Sequence, residues 1–407
     1  MTTNVSQPQP SSSTEPARPT FALFAYGFRP FFWAAGAFAA LAVIAWLWIY
    51  GTGVLPLRDL APQLWHGHEM LYGFVAAAIA GFLLTAVPSW TGARGFAGAP
   101  LILLAVLWLA GRLAFAAAAV LPVQIVAVCE LLFIPALVIL LAPPLLRARN
   151  RNTPLLLVLV AIWLTDAVFL YGLMRGDALL ARSVLLVAIN IALLLVTVIS
   201  GRIIPAFTAS ALRGGGQPVA LRTSAAADRI VIGAMIAIVL VDAFAAGHPA
   251  AGVIAGLAAL AHAWRLAGWR SLRTLRQPLV WCLHLAYTWM PVGLALKAVF
   301  ILTGAAWSTH WMHALTIGVA TSMVLAVMTR AALGHTGRPL VAARPIAVAY
   351  LMLSAAAIVR VFAPALPGAN YQWTVTLAGT LWVVAFGLYL IVYTPILMRP
   401  RIDGRQG

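Results

Sequence analysis

The apolar residues of this chain are gathered into blocks of about twenty, the length a helix needs to cross a hydrocarbon core about 30 Å thick. In lipid, every backbone N–H and C=O must be satisfied inside a helix or a closed barrel. The blocks show no ten-residue alternation of the kind that barrel strands carry. The pattern therefore predicts an all-α polytopic membrane protein of about twelve transmembrane helices. The spans are expected at about 31–50, 66–88, 100–121, 123–145, 154–174, 180–201, 228–247, 249–268, 279–303, 307–331, 343–363 and 371–396, with almost no loop at Leu121–Pro122. Charged residues make up only 9% of the 407, against about 25% in a soluble domain, which excludes a wetted globule of this size.

Residues 1–20 are rich in Ser, Thr, Pro and Gln and lack a basic segment leading into a short apolar core. They read as a disordered tail and not as a cleaved signal. Residues 21–398 form a single twelve-helix domain, followed by a short basic tail, 399–407. The longest connection, about 202–227, reads as a Gly/Arg/Ser-rich loop, so no soluble domain is expected.

The formal net charge of +17 is mostly topology. Twenty basic residues fall on one side of the spans, from Arg18 and Arg29 through Arg94, Arg147, Arg202, Arg265 and Arg330 to Arg405, and three, Arg58, Arg175 and Arg182, on the other. The positive-inside rule then puts both termini in the cytoplasm. No long basic run exists, so nucleic acid is not an expected partner and membrane lipid is. Cys129 and Cys282 stand in no metal-binding spacing and read as core thiols.

Ionisable groups at membrane depth are costly and usually face a partner or a cavity. Arg112 and Glu130 fall at the same depth on consecutive spans, so a helical hairpin would pair them, as a structural salt bridge or as part of a proton relay. Asp166 and Lys297 are also intramembrane, with no partner evident in the sequence. Glu69 belongs with the histidines.

Placed on the spans, His66, His68, His248, His310 and His313 fall on the outer side and His262, His284 and His335 on the inner. Imidazole is the commonest metal ligand, and the two layers suggest two sites. In Trp65-His66-Gly67-His68-Glu69-Met70 the two histidines lie about 200° apart on a helix, so they cannot both face one centre unless the helix starts after His66. Small residues follow them from Gly73 to Gly81, and Ala314, Gly318 and Ala320 follow His313. A haem held by His68 or His66 and by His313 would suit this chemistry; close helix packing would need the same small residues. His262, His284 and His335, converging from three segments, would suit copper, with zinc or non-haem iron as alternatives. His248, in Gly247-His248-Pro249, reads as a turn residue.

Several stretches resemble the NnrS family of bacterial inner-membrane proteins: Gly27-Phe28-Arg29-Pro30-Phe31-Phe32, Trp65-His66-Gly67-His68-Glu69-Met70, Gly81-Phe82-Leu83-Leu84, Gly201-Arg202-Ile203-Ile204-Pro205-Ala206-Phe207-Thr208, His284-Leu285-Ala286-Tyr287, His313-Ala314-Leu315-Thr316 and Leu333-Gly334-His335-Thr336-Gly337-Arg338. The resemblance implies twelve helices, haem and copper, and a role in relieving nitric oxide stress. It supplies no ligand assignments. Ala209-Ser210 stand where the family often has Arg-Asn, and Lys297 where it has an apolar residue.

Three functions are compatible with these features. The first is a haem/copper protein that binds or turns over nitric oxide or iron-nitrosyl species. The histidine triad that haem-copper oxidases carry on spans six and seven is missing. The second is a twelve-helix secondary transporter without a redox cofactor, although the two halves show no repeat. The third is a signalling or assembly protein docking through its basic loops. A nitric oxide scavenger and a reductase need the same ligands, so the sequence assigns no catalytic step and no electron donor.

Overall fold

The computed structural model describes residues 21–54, 61–214 and 220–404. The expected tail 1–20, Arg58, Arg405 and the last residues of the basic tail lie outside them. The described chain is all helical, with twelve long helices in the order expected: α1 (Phe28–Thr52), α2 (Pro62–Thr91), α3 (Ala99–Ala116), α4 (Val123–Arg147), α5 (Leu155–Arg175), α6 (Ala178–Gly214), α7 (Ala225–Ala245), α8 (Pro249–Ala267), α9 (Pro278–Thr303), α10 (Ala306–His335), α11 (Arg344–Ala365) and α12 (Tyr371–Met398). Eleven of them are long and apolar enough to span a membrane. The exception, α7, is long enough but carries Asp228, Arg229 and Asp242.

Local chemistry sets the helix ends. Pro249 and Pro278 occupy the first turns of α8 and α9, where a missing N–H costs nothing. His248 caps α8, its Nδ1 accepting from the Ala250 N–H at 3.2 Å, consistent with a turn role. Ser224 caps α7 in the same way. Leu41, Leu113, Ile139, Leu157, Leu260 and Ile391 point outward, as a lipid-facing surface requires.

One boundary differs from expectation. The first half of the expected 202–227 loop is helix, because α6 runs unbroken to Gly214 for 37 residues, about 55 Å at 1.5 Å per residue. Ile204, Pro205, Thr208 and Leu212 in that extension are buried, so packing on the body of the protein holds it helical despite Pro205.

α1 packs against α2 and α12, α12 against α11, and α5 through α10 follow one another as neighbours. The described ends meet: the Ala22 N–H donates to Met398 O at 2.8 Å, and Arg29 donates to Leu397 O at 2.8 Å and Arg399 O at 2.7 Å. Arg29 thus ties the start of α1 to the end of α12. The face where they meet is the terminal face below, and the opposite one is the distal face.

Candidate functional site

A cavity of about 290 Å³ opens near the distal face between α1, α2, α6, α10, α11 and α12. Both His66 and His313 line it, with Val43, Trp46, Met70, Leu193, Ile317 and Trp382 supplying apolar wall. Trp46 stacks on the His66 ring at 4.6 Å. His66 Nδ1 is buried and has no hydrogen-bond partner. At the mouth, Arg360 donates from Nη2 to the Tyr371 hydroxyl at 2.6 Å and lies 3.2 Å from His310 Nδ1 through Nη1. Among the described lining residues, Arg360 alone carries a fixed charge.

Two π-helical segments flank this cavity, Glu69–Val75 in α2 and Ala314–Thr321 in α10. Each begins directly after a histidine-bearing turn, at His68 and at His313. Such segments widen a helix by one residue per turn, are rare, and recur at functional sites. Sequence periodicity did not reveal them, since both spans are apolar on nearly every face.

His68 lies elsewhere. Its ring is buried between Phe115, at 4.1 Å, and Phe169, at 4.8 Å. Its Nδ1 is 3.1 Å from Glu69 Oε1 and its Nε2 is 3.1 Å from Asp166 Oδ1. Arg112 pairs with both Glu69 and Glu130. The result is a closed polar cluster from α2, α3, α4 and α5. The α3–α4 hairpin thus brings Arg112 to Glu130, and Asp166, for which the sequence suggested no partner, belongs to the same cluster. Of the two histidines offered for one centre, the cavity takes His66 and the cluster takes His68, as their opposite helical positions require. Among the described residues, His68, Glu130 and Asp166 are the one group of three whose ligand atoms approach closely enough to hold a metal ion, all within 4.8 Å of one another.

Lys297 is not isolated either. It pairs with Asp242 of α7 and lies over the Trp311 ring at 5.1 Å. Asn190 donates to the same Asp242 oxygen at 2.7 Å, so three buried polar groups join α6, α7 and α9.

Toward the terminal face, the three imidazoles expected to converge are each bonded to a different neighbourhood. His262 Nδ1 meets the Tyr287 hydroxyl at 2.7 Å. His284 lies between Thr208 Oγ1, at 2.8 Å from Nε2, and Ser271 Oγ, at 2.9 Å from Nδ1. His335 stacks on Tyr26 with ring centres 6.1 Å apart, and its carbonyl accepts from Arg401 at 2.7 Å. Among the described residues, His262, His284 and His335 thus do not come together as ligand atoms close enough for one metal ion: hydroxyls hold both nitrogens of His284 and one of His262, whose Nε2 is buried without a partner, and His335 packs at the joined ends of the chain.

Two of the small residues, Gly73 and Gly318, have a different use from the one a macrocycle would give them, whereas Ala320 does line the cavity. A Cβ on Gly73 would come within 2.2 Å of the Phe38 ring, and one on Gly318 within 2.4 Å of Trp289. These glycines let helices close on each other.

With the geometry in place, comparison with known proteins adds one match. The family model described as NnrS protein matches residues 22–401. No curated protein matches the chain.

Proposed function

The chain belongs to the NnrS protein family, and from that premise we propose that it is a haem-binding protein of the bacterial inner membrane that acts in relieving nitric oxide stress. The family name carries the link to nitric oxide. The observation that supports a cofactor is the distal cavity, where two imidazoles from π-distorted helices face one apolar space and His66 Nδ1 has no protein partner. This donor set suits haem iron. His66 and His313 would hold the group, Trp46 fixes the His66 ring, and Arg360 at the mouth would take the carboxylates on a haem edge. Bound haem supplies a redox-active iron able to coordinate nitric oxide. The chain's own contribution is to hold that group and keep water from it with apolar walls. Copper, which the resemblance also implies, finds no fitting set at His262, His284 and His335, and no step is assigned to it.

The test is the absorption spectrum of the full chain purified after expression with haem supply. A Soret band is expected, lost in His66→Ala and in His313→Ala and kept in His284→Ala. Absence of the band in the unaltered protein overturns the reading, as does its survival in both distal variants.

A further inference from the structure

We propose that His68, Glu130 and Asp166 form a binding site for a divalent first-row cation of the Mn2+, Fe2+ or Zn2+ class, separate from the distal cavity and independent of whether that cavity binds haem.

The first observation is the contact between His68 Nε2 and Asp166 Oδ1 at 3.1 Å, alongside that between Nδ1 and Glu69 Oε1 at 3.1 Å. A neutral imidazole has one N–H. If Nδ1 donates it to Glu69, the Nε2 lone pair faces a carboxylate oxygen, a repulsive contact with nothing between. Two ligand atoms each about 2.1 Å from one ion, at tetrahedral to octahedral angles, lie roughly 2.9–3.4 Å apart. The observed separation falls in that interval, so an ion would convert the repulsion into two ligand bonds. Glu69 on Nδ1 then completes the carboxylate–histidine–metal arrangement that orients ligating imidazoles, and Arg112 fixes Glu69 in turn.

The second observation is independent of the histidine. Glu130 is 5% exposed, and its Oε1 is buried without a hydrogen-bond partner, although Oε2 is held by Arg112. A small cavity of about 10 Å³, on the scale of a single ion or water, is bordered by Glu130, Asp166, Arg112 and Tyr72 together with apolar side chains that include Trp108 and Phe133, while His68 stands outside its lining. Buried carboxylate oxygens seldom go unpaired without a reason.

Charge agrees. Glu69, Glu130 and Asp166 as carboxylates against Arg112 leave two negative charges around a neutral His68, which one divalent cation cancels. Two carboxylates and one imidazole, with no sulfur, form a hard to borderline set. The ring's apolar walls, Phe115 and Phe169, shield it from water. The rival arrangement is a protonated His68 bridging two carboxylates with no metal.

The full-length protein, stripped with chelator and then exposed to Zn2+ with the excess removed, is assayed for bound metal by mass spectrometry. One Zn2+ per chain is expected, with affinity at least tenfold lower in Glu130→Gln and in Asp166→Asn and unchanged in His284→Ala. No retained Zn2+, or equal affinity in both carboxylate variants, supports the bridging imidazolium and overturns the proposal. Loss in His284→Ala overturns it in favour of the terminal-face histidines. Should the carboxylate variants fail to elute as folded protein, pulsed EPR of the Mn2+-loaded unaltered protein decides. Coupling to one imidazole nitrogen supports the site, and coupling to none or to several overturns it. The Soret band read on the same samples reports the distal cavity separately.

Discussion

His68 on α2 and Asp166 on α5 meet through Nε2 and Oδ1 at 3.1 Å, with both side chains closed off from solvent. Two residues earlier on the same helix, His66 looks into the distal cavity. One short stretch of α2 therefore separates a charged cluster from an apolar chamber, and the π-helical segment that starts at Glu69 sits at the division. Polar residues inside a membrane protein are costly unless paired. Here the pairing joins α2, α3, α4 and α5, so the cluster also fixes the helix from which His66 projects.

Arg112 is the keystone of that cluster, and its removal leaves Glu69 and Glu130 facing each other in a buried site. Arg112→Met should destabilise the fold by about 3–5 kcal/mol, the cost of breaking a buried ion pair from one side. Arg112→Met combined with Glu69→Gln and Glu130→Gln should recover most of that loss, because the uncompensated charges go with it. Thermal unfolding in detergent measures both. Equal stability of the single variant and the unaltered protein would show that the pairing contributes nothing.

The motif Gly201-Arg202-Ile203-Ile204-Pro205-Ala206-Phe207-Thr208 has a packing explanation that can be tested at its first residue. A Cβ at position 201 would stand 1.6 Å from Arg265 Nη2. Arg265 cannot yield without giving up Asp228, at 2.5 Å, and the Tyr287 hydroxyl, at 3.0 Å. Gly201→Ala should therefore cost about 1–3 kcal/mol, as overpacking does. Adding Arg265→Ala to it should change stability by less than Arg265→Ala does alone in the glycine background. Additive losses in this double-mutant cycle, read from detergent melts, would sink the account.

The twelve helices were legible because each apolar block is long and has an arginine at or near at least one end, and the Arg112–Glu130 contact because hairpin depth can be counted from the sequence. The cavity was legible only in part. His66 and His313 stand out as histidines in apolar spans, whereas Arg360 looks like an ordinary charge at the end of α11 and joins the site only through its approach to α10 and α12. Asp166 and Lys297 looked alone because their partners, His68 and Asp242, lie 98 and 55 residues away, and no local spacing encodes such pairs. The inner histidines misled for a related reason. Depth alone put His262, His284 and His335 together, and depth says nothing about position around the bundle. The hydroxyls of Thr208 and Ser271 hold both ring nitrogens of His284, and that of Tyr287 holds one of His262, whose Nε2 is left without a partner.

The glycines of α2 and α10 separate packing from cofactor contact. Gly73→Ala and Gly318→Ala should each lower stability by about 1–3 kcal/mol through collision with Phe38 and Trp289. Any Soret band of the surviving folded protein should keep its position. A shifted band with unchanged stability in either variant would instead return these residues to the cofactor's surface.

The orientation of the bundle follows from charge and can be read with an impermeant thiol reagent. The connections on the terminal face carry Arg94, Arg147, Arg270, Arg273, Arg276 and Arg338, so the positive-inside rule predicts that face to be the cytoplasmic one. Ala369 lies in the exposed connection between α11 and α12 on the distal face, and Arg273 in the connection between α8 and α9 on the terminal face. In a background where Cys129 and Cys282 are replaced by alanine, Ala369→Cys should be labelled from outside intact spheroplasts. Arg273→Cys should be labelled only after the membrane is opened. The reverse pattern would turn the bundle over and place the mouth of the distal cavity, with Arg360 and Tyr371, toward the cytoplasm. A nitric oxide-handling site is equally reachable from either side, because a small neutral gas crosses lipid freely. The carboxylate-binding role given to Arg360 is likewise indifferent to side. Labelling therefore tests the charge rule by itself, and its outcome leaves the cavity's chemistry standing.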